Sequence, residues 1–147
     1  MELNHDYFMK QALKQALLAF DDDEVPIGAV VVVNNQIIGK GYNQTERLND
    51  TTAHAEMLAL TAAFNQLNST ILDECTLYVT VEPCAMCAGA IKWARLKEVV
   101  FGATEPKSGF TQYTPSLMHP KTTVVSGVLE SECASLMRQF FNEKRAK

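Results

Sequence analysis

The stretch Thr76-Leu77-Tyr78-Val79-Thr80-Val81-Glu82-Pro83-Cys84-Ala85-Met86-Cys87 sets both the architecture and the chemistry of this 147-residue chain. Residues 76–81 are rich in β-branched and aromatic side chains, the composition of a strand. Glu82-Pro83 stops it, because proline has no N–H to give to a ladder. A helix over residues 84–94 is expected to follow. Cys84 and Cys87 stand three residues apart, so both fall on one side of its first turn.

Upstream, Phe8, Ala12, Leu13, Ala16 and Leu17 recur at helical spacing, which predicts an amphipathic helix over 5–20. The acidic cluster Asp21 to Glu24 and then Pro26 end it. Residues 27–33 form a β-branched run expected to be buried on both faces. Asn34-Asn35 is a turn signal, and 36–42 returns as an antiparallel partner. Thr51 and Thr52 are candidate caps for a helix over 53–65. Downstream come a short strand at 98–101, a loop at 107–121 rich in Gly, Pro, Ser and Thr, a strand at 122–125 and a last helix over 129–142. Strands joined through helices or long crossovers should run parallel. The expected fold is α/β, a mixed five-stranded sheet covered on both faces in three α/β/α layers. One domain spanning 1–147 is expected, with no repeat, linker or low-complexity tract.

Composition narrows the function classes. Apolar residues make up 47% of the chain and charged residues 20%, enough to bury a true core without help from a metal. The first ten residues are polar, and the longest apolar run is too short to span a bilayer, so no signal peptide or membrane segment is expected and a cytoplasmic location is. In that setting a close cysteine pair points to metal or redox chemistry rather than a disulfide. Cys75 and Cys133 stand alone and read as small buried hydrophobes. A net charge of −4 argues against a broad nucleic-acid surface but leaves room for a local basic patch. Lys144, Arg145 and Lys147 already cluster in the tail.

The second chemical segment is His54-Ala55-Glu56. It also opens a helix, where free N–H groups and the partial positive charge favour thiolates and carboxylates. His54, Cys84 and Cys87 offer one nitrogen and two sulfurs, a set suited to zinc, and three protein ligands leave a fourth tetrahedral position open, as in catalytic sites. Zinc brings the pKa of bound water to about 7. Glu56, two residues past His54, cannot point with it but can shuttle protons. Hydrolytic removal of an amino group needs a proton taken from water, one placed on the ring nitrogen and one on departing ammonia.

Taken singly, each feature is ordinary. A Cys-x-x-Cys pair can be redox-active, His54 can be a buried polar residue, and Glu56 can be a first-turn dipole partner. Together, at matching helix starts, they are explained by one site. A redox reading leaves His54-Ala55-Glu56 idle, and a structural zinc lacks a fourth ligand among Cys75, His5, His119 and Cys133. A catalytically inert zinc module is disfavoured because Glu56 is present.

The order H-x-E…P-C-x-x-C is the signature of zinc deaminases acting on nucleobases. The likeness continues through Val25-Pro26-Ile27-Gly28-Ala29-Val30, Gly41-Tyr42-Asn43, Thr52-Ala53, Ala88-Gly89-Ala90, Val99-Val100-Phe101-Gly102-Ala103 and Phe140-Phe141. The chain resembles the bacterial tRNA-specific adenosine deaminase family, within the cytidine deaminase-like superfamily. That resemblance implies a homodimer, consistent with the apolar character of 85–94, and conversion of adenosine to inosine at the wobble position of a tRNA anticodon stem-loop. It assigns zinc to His54, Cys84 and Cys87 and the proton shuttle to Glu56. It assigns target contact to Asn43, a pocket wall to Val25 and Pro26, backbone or direct site contacts to Ala55 and Glu82, and contact with neighbouring nucleotides to Glu105. Residues 109–119 depart from the loop of the best-known members.

Stacking candidates for splayed anticodon bases are Phe110, Tyr113, Phe140 and Phe141, with core packing favoured for Phe140. Lys92, Arg95, Lys107, Lys121, Lys144 and Arg145 could form a basic rim across a dimer. The alternative is a deaminase of a free base or nucleoside, such as guanine or cytosine, which shares the metal site and differs at the rim.

Overall fold

A computed structural model describes residues 3–146. Its elements are α1 (His5–Asp21), β1 (Gly28–Val33), β2 (Gln36–Tyr42), α2 (Ala55–Leu67), β3 (Thr76–Val81), α3 (Ala85–Ala94), β4 (Glu98–Ala103), a 3-10 turn at Phe110–Gln112, β5 (Thr123–Val125) and α4 (Glu130–Arg145). The sheet order is β2-β1-β3-β4-β5. β1 pairs antiparallel with both β2 and β3, whereas β3–β4 and β4–β5 are parallel. The mixed five-stranded sheet is as expected from the sequence.

The period of two along each strand sorts side chains between two cores. Ala29, Val31, Leu77, Val79, Val99 and Phe101 face α2 and α3. Val30, Val32, Tyr78 and Val100 face the other way, onto α1 and the α4 residues Cys133, Ala134 and Met137. This is the three-layer arrangement.

Small residues set how closely the layers approach. Gly39 and Gly41 of β2 lie directly beneath the α2 backbone at Ala59 and Ala55, so a Cβ at either would overlap a carbonyl oxygen. Gly28 meets α1 at Ala12 and Ala16 in the same way. The start of α2 is thereby pressed onto the end of β2, beside Asn43.

Several boundaries differ from expectation. α2 begins at Ala55 with His54 as its N-cap, not after Thr51 or Thr52. Thr52 instead turns inward on its own loop, giving both its N–H (2.8 Å) and its hydroxyl (2.7 Å) to Asp50. Left-handed Asn68 and Arg95 end α2 and α3. The expected loop over 107–121 contains the turn that buries Phe110, and α4 extends to Arg145. Lys147, one of the tail's basic residues, lies outside the described residues.

Candidate active site

His54 and Cys84 are both N-cap residues with extended backbone (φ −77° and −75°), and neither side chain caps its own helix. They turn toward each other instead. The two sulfurs lie 3.7 Å (Cys84) and 3.5 Å (Cys87) from His54 Nδ1. One ligand atom from each of the three residues lies within 4.8 Å of the others. Among the described residues no fourth His, Cys, Asp or Glu joins this group. The donor set fits zinc, with one nitrogen and two sulfurs converging from two helix starts.

Electrostatics inside the trio follow from proximity. Cys87 donates to Cys84 and, with His54 beside it, holds the Cys84 thiol down to about 3. The same contact, with burial and the nearby Glu56, pushes Cys87 up. Hydrogen bonding to Cys84 raises His54. Glu56, only 3% exposed, is raised to about 7, chiefly because burial penalises its charge. A carboxyl poised there can both accept and return a proton at neutral pH.

Asn43 is buried, and its Oδ1 accepts the N–H of Ala55 at 2.8 Å. It supplies the cap that His54 does not. Ala55 is fully buried, Pro26 is buried and Val25 is half-buried. Val25 lines a cleft together with Glu24, Arg47, Phe140, Phe141 and Lys144. Glu82 is 5% exposed. Its carboxylate accepts the N–H of Glu105 (2.9 Å), the N–H of Thr111 (2.9 Å) and the hydroxyl of Thr111 (2.6 Å). Half-buried Glu105 accepts the N–H of Lys107 at 2.9 Å. The backbone of this loop also reaches the metal side: Gly109 bridges to Cys84, and Phe110 N–H donates to the Pro83 carbonyl at 2.9 Å.

Of the stacking candidates, Phe110 is withdrawn from any nucleotide. It is 4% exposed and packs edge-on against Phe101, because apolar area in a loop is buried wherever a core offers a place. Phe140 is 6% exposed and packs on Phe20, whereas Tyr113 and Phe141 are exposed. Lys144 is tied to Asp23 at 2.6 Å and lies over the Phe140 ring.

Two features escaped sequence reading. Glu24 is not merely part of an acidic cluster: it is 2% exposed and accepts the N–H groups of Glu46 (3.2 Å) and Arg47 (2.7 Å), holding the segment between Asn43 and His54. Arg138 joins Phe141 and Arg145 along one groove with Thr104 and Glu105. Arg138 is the member that sequence reading missed, and its helical spacing from Phe141 and Arg145 is a signal that could have found it.

A trio able to hold a metal, with a buried acid alongside and carried on this sheet, is the arrangement of a hydrolytic deaminase. Residues 3–145 match the MafB19-like deaminase family. The chain is 44% identical to the tRNA-specific adenosine deaminase of Bacillus subtilis (strain 168), across 97% of this chain and 91% of that protein. A solved structure from work on A-to-I editing by tRNA:A34 deaminases at the wobble position of transfer RNA superposes with a TM-score of 0.83 and 42% identity, covering 88% of this chain and 98% of that one. The guanine deaminase of Bacillus subtilis superposes less fully, with a TM-score of 0.68 and 42% identity over 71% of this chain and 67% of that one. The chain belongs to the tRNA-specific adenosine deaminase family.

Proposed function

We propose that this chain is a zinc-dependent hydrolase that converts adenosine to inosine at the wobble position of a tRNA anticodon, working as one deaminase domain. The observation that carries the reading is the convergence of His54, Cys84 and Cys87 within 4.8 Å beside buried Glu56. Those three residues would hold the zinc, which when bound supplies Lewis acidity and a nucleophile at neutral pH. Glu56 takes a proton from the attacking water, delivers one to the purine ring nitrogen and passes one to the departing amino group. Water in and ammonia out balance adenosine against inosine. Asn43 keeps its oxygen on Ala55, which leaves its amide nitrogen to donate to the target nucleoside. Ala55, Val25 and Pro26 wall the pocket, and Glu105 meets the neighbouring nucleotide, with Glu82 contributing through the loop it holds.

The RNA reading draws on the names of the relatives and on the groove of Arg138, Phe141 and Arg145 beside the Glu105 loop. Cation and aromatic together suit single-stranded nucleic acid. A homodimer is supported by the exposed apolar side chains Met86 and Trp93 on α3, which flank half-buried Gly89, with Trp93 82% exposed. Sedimentation at micromolar concentration checks it, and a persistent monomer counts against it. No helix among the described residues is long and apolar enough to cross a membrane; the proposed cytoplasmic site of action rests on the likeness to tRNA-specific deaminases.

The deciding experiment offers zinc-loaded protein an anticodon stem-loop with adenosine at the wobble position, alongside free adenosine, guanine and cytosine. Inosine in the stem-loop is the expected result. Turnover of guanine with an inert stem-loop would move the chain to the free-base reading, which the guanine deaminase likeness keeps in view.

A further inference from the structure

The buried carboxylate of Glu82 sits next to the metal ligands yet faces away from them, into residues 105–111. One oxygen accepts from the backbone N–H of Glu105, the other from the N–H and hydroxyl of Thr111. Between these anchors Gly109 lies against the carboxyl group so closely that a Cβ there would overlap it. Both ends of a seven-residue span are thus tied to one side chain, and no larger residue than glycine fits at Gly109. The main chain at Glu82 is fixed independently, its N–H donating to Ala103 at 2.8 Å. Thr104 and Glu105, at the head of this loop, form one side of the groove whose other side is Arg138, Phe141 and Arg145.

We propose that Glu82 is a positioning residue: it holds the 105–111 loop rigid so that the loop serves as a fixed wall for the nucleotide beside the target base. The inference rests on the RNA-deaminase reading for its substrate, and on geometry alone for the holding. Two loop contacts to the metal segment, Gly109 with Cys84 and Phe110 with Pro83, are backbone to backbone and do not need the carboxylate. Losing the Glu82 charge should therefore loosen the wall while leaving the zinc ligands in place. In Glu82→Gln the side chain keeps its shape, but its single oxygen cannot serve both anchors, and the NH2 group meets an N–H donor.

The test measures four quantities on Glu82→Gln and wild type: zinc content, amide hydrogen exchange, kcat and KM for the stem-loop. The expected result is unchanged zinc, exchange at the Glu105 and Thr111 amides faster by about tenfold or more, and KM raised by about tenfold with kcat within a few-fold, the scale of one charge-assisted hydrogen bond. Thr111→Val, which removes only the hydroxyl, should move KM the same way by a smaller factor; it carries the test if Glu82→Gln fails to fold. Unchanged exchange at those two amides overturns the proposal, as does loss of zinc with a collapse of kcat at constant KM, which would place Glu82 in the metal site itself. If the wild type ignores the stem-loop, the functional reading falls alone, and the exchange data still decide whether Glu82 holds the loop.

Discussion

The starts of α2 and α3 do the same job by different means. Each places a candidate metal ligand at the N-cap, and each leaves that residue's own helix uncapped by it. At α2 the missing cap is a side chain from elsewhere: Asn43, at the end of β2, accepts the Ala55 N–H. At α3 the ligand is held by main chain, through the bridge from Cys84 to Gly109. The α2 start therefore links the proposed metal site to the residue proposed to read the target, so one substitution should disturb both. The α3 start links the metal to a loop, and the two should be separable.

The largest effect falls where both starts meet. Cys84→Ser or Cys87→Ser should weaken zinc binding beyond the about 10–100-fold that loss of a supporting contact costs, and abolish turnover; metal analysis after dialysis reads this. Full zinc in either variant would contradict the ligand set. Glu56→Ala should keep its zinc and lose about 10²–10⁴-fold in kcat. Unchanged turnover in a zinc-replete variant removes the shuttle role from Glu56.

Next in size is the packing that aims α2. Gly41→Ala drives a methyl into the Ala55 carbonyl and should destabilise by about 1–3 kcal/mol, seen as a lower thermal midpoint. Asn43 then separates the two functions of the α2 start. Asn43→Ala should cost about 1 kcal/mol of cap and impair turnover. Asn43→Asp keeps the acceptor and should retain stability while losing activity. Equal loss of stability in both would show that the amide nitrogen, not the oxygen, is what α2 needs.

The smallest effect concerns the cysteines outside the site. Burial pushes the Cys133 thiol up to about 12 and raises Cys75 as well. At pH 8 both stay protonated, so alkylation of the folded protein should spare them, and labelling should appear only on unfolding. Rapid labelling of Cys133 in the native state would show that α4 opens from the sheet.

The chemistry was more legible than its support. His54-Ala55-Glu56 and Pro83-Cys84-Ala85-Met86-Cys87 carry their meaning in short spacing, because a helix start imposes the same geometry wherever it occurs. The elements were legible for the same reason, through periods of two and 3.6. Phe110 was misread because an aromatic in a polar loop has no local mark that says whether a core will accept it. Glu24 and Glu82 were seen as an end-of-helix acid and a site neighbour, since nothing within a few residues reveals that each gathers N–H groups 22 to 29 positions away. Thr51 and Thr52 had the right chemistry for a cap, but Asn43 from the neighbouring strand took that place.

The sequence by itself determined which side chains would stand at which helix starts, and that the strands and helices would alternate into a layered sheet. Those are local outcomes, set by backbone preference and side-chain period over a few residues. Only the tertiary structure decided that His54 and Cys84, thirty positions apart, would come within 3.7 Å, and that Glu56 would be buried enough to rise to about 7. Approach and desolvation depend on how distant surfaces pack, here on glycines that let α2 press against β2, and no short window of sequence contains both surfaces.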